Sequence, residues 1–132
     1  MTKAATKAAE TDAKHVVLSF VDALNHEDFE AAKRYVSDNI SFVGVLGSRR
    51  GSHEYFVDMQ RMRLKYDVKR TFVDGHDVCL FYDLTISGTT IFGCGWYHVE
   101  QRRIDSLQVL FDPRPVLEAS MPKAMHGRES SG

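Results

Sequence analysis

Between His15 and Asn25, the residues Val16, Val17, Phe20, Val21 and Leu24 recur at helical spacing and mark one apolar face. Asn25 and His26 interrupt that face. Glu27, Asp28 and Glu30 then place negative charge at the start of a second helix, where the helix dipole favours it. This second helix is expected to bury Phe29, Ala32, Tyr35 and Val36 and to stop at Ser37-Asp38-Asn39. An apolar strand from Ile40 to Leu46 follows, then a turn-rich link, Gly47-Ser48-Arg49-Arg50-Gly51. Ser52 is placed to cap a third helix with an inner stripe of Tyr55, Met59, Met62 and Tyr66.

Beyond Tyr66 the apolar period changes from helical to two. Val68 to Val73 reads as a strand ended by the hairpin signal Asp74-Gly75. Val78 to Ile86 is turned by Ser87-Gly88-Thr89, Ile91 to Glu100 is turned near Arg102, and Ile104 to Phe111 ends at Asp112-Pro113. Three helices among five strands, the last four joined by hairpins, predict an α+β fold with an antiparallel sheet and the helices grouped on one face. No internal repeat or domain boundary is visible, and 132 residues suit one core.

The charge balance narrows the function. Lys plus Arg number 17 against 18 for Asp plus Glu, so no single-sign field points to nucleic acid or an anionic membrane. The basic run Arg61, Arg63, Lys65, Lys69 and Arg70 is interspersed with Asp58, Asp67 and apolar residues, as on a solvated face. Cys79 and Cys94 form neither a disulfide framework nor a metal-ligand spacing, which suits a reduced, cytoplasmic protein. The first residues, MTKAATKAAETDAK, lack the apolar centre of a signal peptide, and no apolar run is long enough to span a membrane. No metal-ligand spacing and no phosphate-cradling glycine loop is present, so neither a metal nor a nucleotide cofactor is expected.

The run FVDALNHEDFEAAKRYVSDN resembles the first two helices of nuclear transport factor 2-like proteins, above all their SnoaL-like and ketosteroid isomerase-like branches. The ending RIDSLQVLFDPRP resembles their last strand. The resemblance implies a domain over residues 14–115, with 1–13 as a flexible extension and 116–132 as a tail. It also implies a cone: a curved antiparallel sheet with three helices on its concave face and an open end that admits a small apolar ligand. Isomerases of this shape use an Asp base together with a Tyr and a protonated Asp that donate to the developing oxyanion. Those roles fall here on Gly44, Phe20 and Gly95, which carry none of the required groups. Isomerase chemistry is therefore not expected, and no catalytic residue is assigned.

If the Ser87-Gly88-Thr89 turn sets the register, Tyr82 faces Gly95, Leu80 faces Tyr97 and Leu84 faces Gly93. All six then share the inner face with Val78, Val99, Leu107, Val109 and Phe111. The pocket so drawn is apolar and aromatic, and its candidate ligand-binding residues are Phe20, Tyr55, Met59, Tyr82, Gly95, Tyr97 and Val109. Tyr82 and Tyr97 read equally as ligand contacts or as packed core. The outer face would carry Cys79, Phe81, Asp83, Cys94, Trp96, His98, Gln108 and Leu110, too apolar for open water. The family commonly pairs subunits through this face, so a homodimer through Phe81, Trp96, His98 and Leu110 is expected.

Asp83 and His98 would form an acid–base pair only if the register slipped by one residue and brought them into the pocket. Cys94 has no base beside it to activate a thiol, and His53 reads as a surface residue at the cone's mouth. His15, His26, His76 and His126 lack any metal spacing. The expected function is binding of a small hydrophobic or aromatic ligand. The alternative is a SnoaL-like enzyme, an isomerase, cyclase or hydrolase of a cyclic or polyketide-like substrate. A third possibility is an interaction domain whose cone is filled.

Overall fold

The computed structural model describes residues 3–119, with side chains from Thr6 onward. His126 and the tail from Pro122 lie outside the described residues.

Helix α1 (Lys3–Asn25) is continuous through residues 3–13 and buries Val16, Val17, Phe20, Val21 and Leu24, the stripe read from the sequence, together with Ala13. At its end, the Asn25 side chain donates to the Tyr66 carbonyl (2.9 Å) and accepts from the Tyr66 amide (2.7 Å). Helix α2 (Phe29–Arg34) starts at Asp28, whose carboxylate accepts from the Ala31 amide at 3.1 Å. It is shorter than expected. Val36 is not its last buried residue but the first residue of strand β1 (Val36–Val43), where Val36 and Ile40 turn into the core. A β-branched residue favours that extended backbone, and the Ile104 amide donates to the Tyr35 carbonyl at 2.7 Å as the strand begins.

The link after β1 contains a short strand, β2 (Ser48–Arg50), that folds back antiparallel on Ser41–Val43. Gly51 (φ 93°), not Ser52, is the N-cap of α3 (Ser52–Met62), and no side chain caps the helix. The Gly51 amide is instead occupied by the Ile40 carbonyl at 2.8 Å. Tyr55, Phe56 and Met59 are buried on α3 and Met62 is half-buried, while Tyr66 stands on the next strand.

Strands β3 (Lys65–Asp74), β4 (Asp77–Ile86), β5 (Thr89–Glu100) and β6 (Arg103–Phe111) follow, then a short helix α4 (Arg114–Ala119). The six strands lie in the order β2-β1-β6-β5-β4-β3. They form a curved, unclosed sheet rather than a purely antiparallel one, because β1 runs parallel to β6.

The expected register is off by two residues. Tyr82 faces Gly93, Leu80 faces Gly95, Val78 faces Tyr97 and Leu84 faces Ile91. The cause is the turn. Ser87 (φ 48°) and Gly88 (φ 85°) both adopt left-handed backbone, so a two-residue turn brings Ile86 and Thr89 into the ladder. A two-residue slip preserves the side-chain period, so every inner-face assignment stands. Val78, Leu80, Tyr82, Leu84, Gly93, Gly95, Tyr97, Val99 and Leu107 are buried, with Val109 and Phe111 half-buried beside them. On the outer face Phe72, Phe92, Trp96 and Leu110 are each more than half exposed. Among the described residues no helix is long and apolar enough to cross a membrane.

Candidate functional site

A cavity of about 300 Å³ opens between α3, the inner face of the sheet, the Gly44–Gly47 loop and Val116 of α4. Its wall is mostly apolar, formed by Met59, Leu64, Leu84, Ile86, Leu107 and Phe111. Tyr55, Tyr66 and Tyr82 are also among its lining residues. Of the residues selected from the sequence, Tyr55, Met59, Tyr82 and Val109 line this cavity. Phe20, Gly95 and Tyr97 do not. They form the packed layer behind it, where the Phe20 ring lies 6.5 Å from Tyr55 and 6.4 Å from Tyr97.

Tyr82 is wholly buried, and its hydroxyl meets no hydrogen-bond partner among the described residues. The Tyr97 phenol is near enough to influence its ionisation but does not reach hydrogen-bond geometry. The Tyr66 ring packs edge-on against Tyr82, centroids 5.0 Å apart. Burial pushes the Tyr55, Tyr66, Tyr82 and Tyr97 phenols above the ordinary range, so all four are neutral hydroxyls at physiological pH.

The two glycines onto which the resemblance places the isomerase carboxylates leave little room for a side chain. A Cβ on Gly44 would come within 2.8 Å of the Phe42 ring and 3.2 Å of the Gly47 carbonyl oxygen. On Gly95 it would meet Tyr97 Cε1 at 2.9 Å and the Tyr82 hydroxyl at 3.2 Å. A side chain at either position would press on an aromatic ring.

Asp58 and Arg61, read from the sequence as part of a solvated face, stand with Arg49 on the cavity rim. Asp58 of α3 takes Arg49 Nε at 2.8 Å and Arg61 Nη2 at 3.3 Å, and all three residues line the cavity. The Asp58–Arg61 spacing is a helical neighbour pair and was visible in the sequence. The Arg49 contact depends on β2 folding back and was not.

Asp83 and His98 both lie on the outer face and do not meet. Asp83 pairs with Lys69 at 3.5 Å. His98 sits between Asp77 and Glu100, each 2.9 Å from a ring nitrogen, and Asp77 also accepts from the Trp96 indole at 2.9 Å. The Asp77 hydrogen bond, partly opposed by burial and supported by Glu100, raises the His98 pKa above that of a free imidazole. Cys79 and Cys94 are free and half-buried on this face, and burial raises the Cys79 thiol. His53 stands apart from the cavity. Among the described residues no three His, Cys, Asp or Glu side chains converge as a metal site.

Solved structures share this architecture. The chain is 47% identical to an NTF2-like protein of unknown function from Cytophaga hutchinsonii, covering 80% of this chain and 94% of that one, with a TM-score of 0.78. It is 25% identical to an LEH-like epoxide hydrolase of M. tuberculosis over 83% of this chain and 89% of that one, with a TM-score of 0.71. A candidate SnoaL-like polyketide cyclase from Jannaschia sp. CCS1 is 14% identical over 86% of this chain and 96% of that one, with a TM-score of 0.74; at that identity the likeness is one of fold. Among curated proteins none matches the chain significantly. The profile of the SnoaL-like domain matches residues 17–107, and the chain belongs to that family.

Proposed function

We propose that the protein binds a small hydrophobic or aromatic ligand in this cavity, with the Tyr82 hydroxyl holding a ligand oxygen, and that it does not perform ketosteroid isomerisation. The observation that carries this reading is a mostly apolar cavity whose lining includes Tyr82, a residue with a buried hydroxyl that meets no partner among the described residues. A buried polar group without a partner costs stability, and a ligand carbonyl would supply that partner. The crowded positions at Gly44 and Gly95 support the absence of an isomerase base and acid. The test is calorimetric titration of a compact aromatic ketone such as 1-tetralone into wild type and Tyr82→Phe. Wild type should bind, and the variant should bind more weakly by about 0.5–1.5 kcal/mol, the net worth of one neutral hydrogen bond. Equal affinities would remove Tyr82 from the site, and turnover of an unsaturated ketosteroid by wild type would refute the absence of a base.

One observation favours a second reading, that of a SnoaL-like enzyme: a carboxylate, Asp58, reaches the cavity lining flanked by two guanidiniums. The LEH-like epoxide hydrolase at 25% identity makes epoxide opening the reaction to try first. Hydrolysis of a cyclic epoxide by wild type that is lost in Asp58→Asn would establish that reading over simple binding.

The exposed aromatic patch supports a homodimer in which Trp96 and Phe81 lie near the centre of the interface and His98 and Leu110 beside them, and the two free thiols suit a reduced, cytoplasmic setting. Sedimentation should give a dimer for wild type and a monomer for Trp96→Glu. A monomeric wild type, or an unchanged dimer in the variant, removes this interface.

A further inference from the structure

The cavity rim carries more cation than anion. Among the described residues, Arg49, Asp58 and Arg61 are its only fully charged lining residues, two guanidiniums against one carboxylate. Asp58 is the most enclosed of the three, its side chain 20% exposed against 42% for Arg49 and 74% for Arg61. It therefore acts as the pivot on which both cations are oriented.

Its own charge is satisfied by this arrangement, while theirs is not. A guanidinium offers five N–H donors in a planar fork. Arg49 uses Nε on Asp58 and Nη1 on the Ser48 carbonyl at 2.9 Å, and Arg61 uses Nη2 on Asp58. Among the described residues no protein acceptor takes the remaining donors of either side chain.

The cavity thus presents a mostly apolar wall and a cationic rim. A purely apolar ligand would leave the rim donors to solvent, and a cationic ligand would be repelled. We infer that the ligand is a compact amphiphilic carboxylate, with its apolar body in the cavity and its carboxylate on Arg49 and Arg61. The planar fork suits a carboxylate in two-point contact, and one anion matches the single excess positive charge. Size is informative as well. A volume of about 300 Å³ lies at the small end for a ligand pocket and suits one ring and a short chain.

This inference rests on the reading that the cavity binds ligands, and its test separates the two. The probes are 4-phenylbutanoate and its neutral isostere 4-phenylbutanamide, titrated calorimetrically at about pH 7.5, where the acid is ionised. The acid should bind about tenfold more tightly than the amide at low salt, as expected for a partly screened, charge-assisted contact. That preference should shrink at about 0.5 M NaCl, where the Debye length is only a few ångströms. It should fall to within about threefold in Arg61→Gln, whose exposed side chain can be replaced without disturbing the core. It should grow in Asp58→Asn, because the guanidinium donors are released and the competing anion is gone. Equal affinity for acid and amide, or a preference unchanged in Arg61→Gln, overturns the carboxylate assignment and leaves the ligand-binding reading standing. Binding of neither probe overturns both.

Discussion

Replacing Tyr82 by Phe should make the unliganded protein more stable, although it removes a polar atom from the core. The Tyr82 ring is fully buried against Tyr66 and remains so in the variant; only the hydroxyl is lost. That hydroxyl has been taken out of water without gaining a partner among the described residues. Leaving such a group unsatisfied costs about 1–3 kcal/mol. Against this gain stands the loss of one oxygen's dispersion contacts, a few tenths of a kcal/mol at roughly 0.1–0.2 per atom pair. The net expectation is a stabilisation of about 1–2 kcal/mol, corresponding to a melting temperature roughly 3–8 °C higher for a domain of this size. Urea denaturation of both proteins without ligand measures the free energy, and calorimetry measures the melting temperature. Repeating the measurement with saturating 1-tetralone should shrink the difference, since the ligand would complete the hydroxyl in wild type alone. A Tyr82→Phe variant less stable than wild type would show that the hydroxyl is already satisfied, and the argument that it awaits a ligand would fail.

Two further outcomes follow from the same structure. Gly95→Ala should destabilise the fold by about 1–2 kcal/mol, because overpacking against the Tyr97 and Tyr82 rings outweighs the smaller gain from stiffening the unfolded chain; a neutral or stabilising effect in urea denaturation would mean that the rings yield freely. The His98 pKa is raised on folding, so its contribution to stability is complete below the ordinary value of 6.5 and is lost as pH rises through the folded pKa. Stability should therefore fall from pH 6.5 upward and this slope should be absent in His98→Gln, while an NMR titration placing His98 at or below pH 6.5 would refute the assignment.

The inner face was legible because alternation is a property of a strand by itself. Tyr82, Leu84 and Tyr97 keep their orientation whichever residues they oppose, so a two-residue error in pairing left them in place. The pairing was not legible because it depends on whether the chain turns in two residues or more at Ser87-Gly88, a choice settled by backbone conformation. Val36 was misplaced for a related reason. Its apolar side chain fits a helix face and a strand equally, and its strand partner, Ile104, is distant in sequence. The candidate site divides along the same line. Met59 and Tyr55 follow from helical spacing, whereas the separation of Phe20, Gly95 and Tyr97 from the cavity depends on how α1 fills the cone behind it. The Arg49–Asp58 contact joins a strand edge to a helix and leaves no periodic trace.

The sheet does not close, so its two outermost strands, β2 and β3, each have one side without a neighbour. Such an edge invites another chain to add a strand, the first step of uncontrolled polymerisation. The molecule obstructs this at both ends. At β3, the Asn25 carboxamide occupies the amide and carbonyl of Tyr66, imitating one peptide unit of a neighbouring strand. Farther along, a bulge falls between Val68 and Arg70 and interrupts the regular ladder beside Lys69 and Arg70. The opposite edge is only three residues long and two of them are arginines, Arg49 and Arg50. An incoming strand would find too few free groups to pair with and a positive charge at almost every step. The open edges can therefore coexist with an outer face rich in exposed aromatics, because edge-on growth, which has no natural end, is obstructed at both of them.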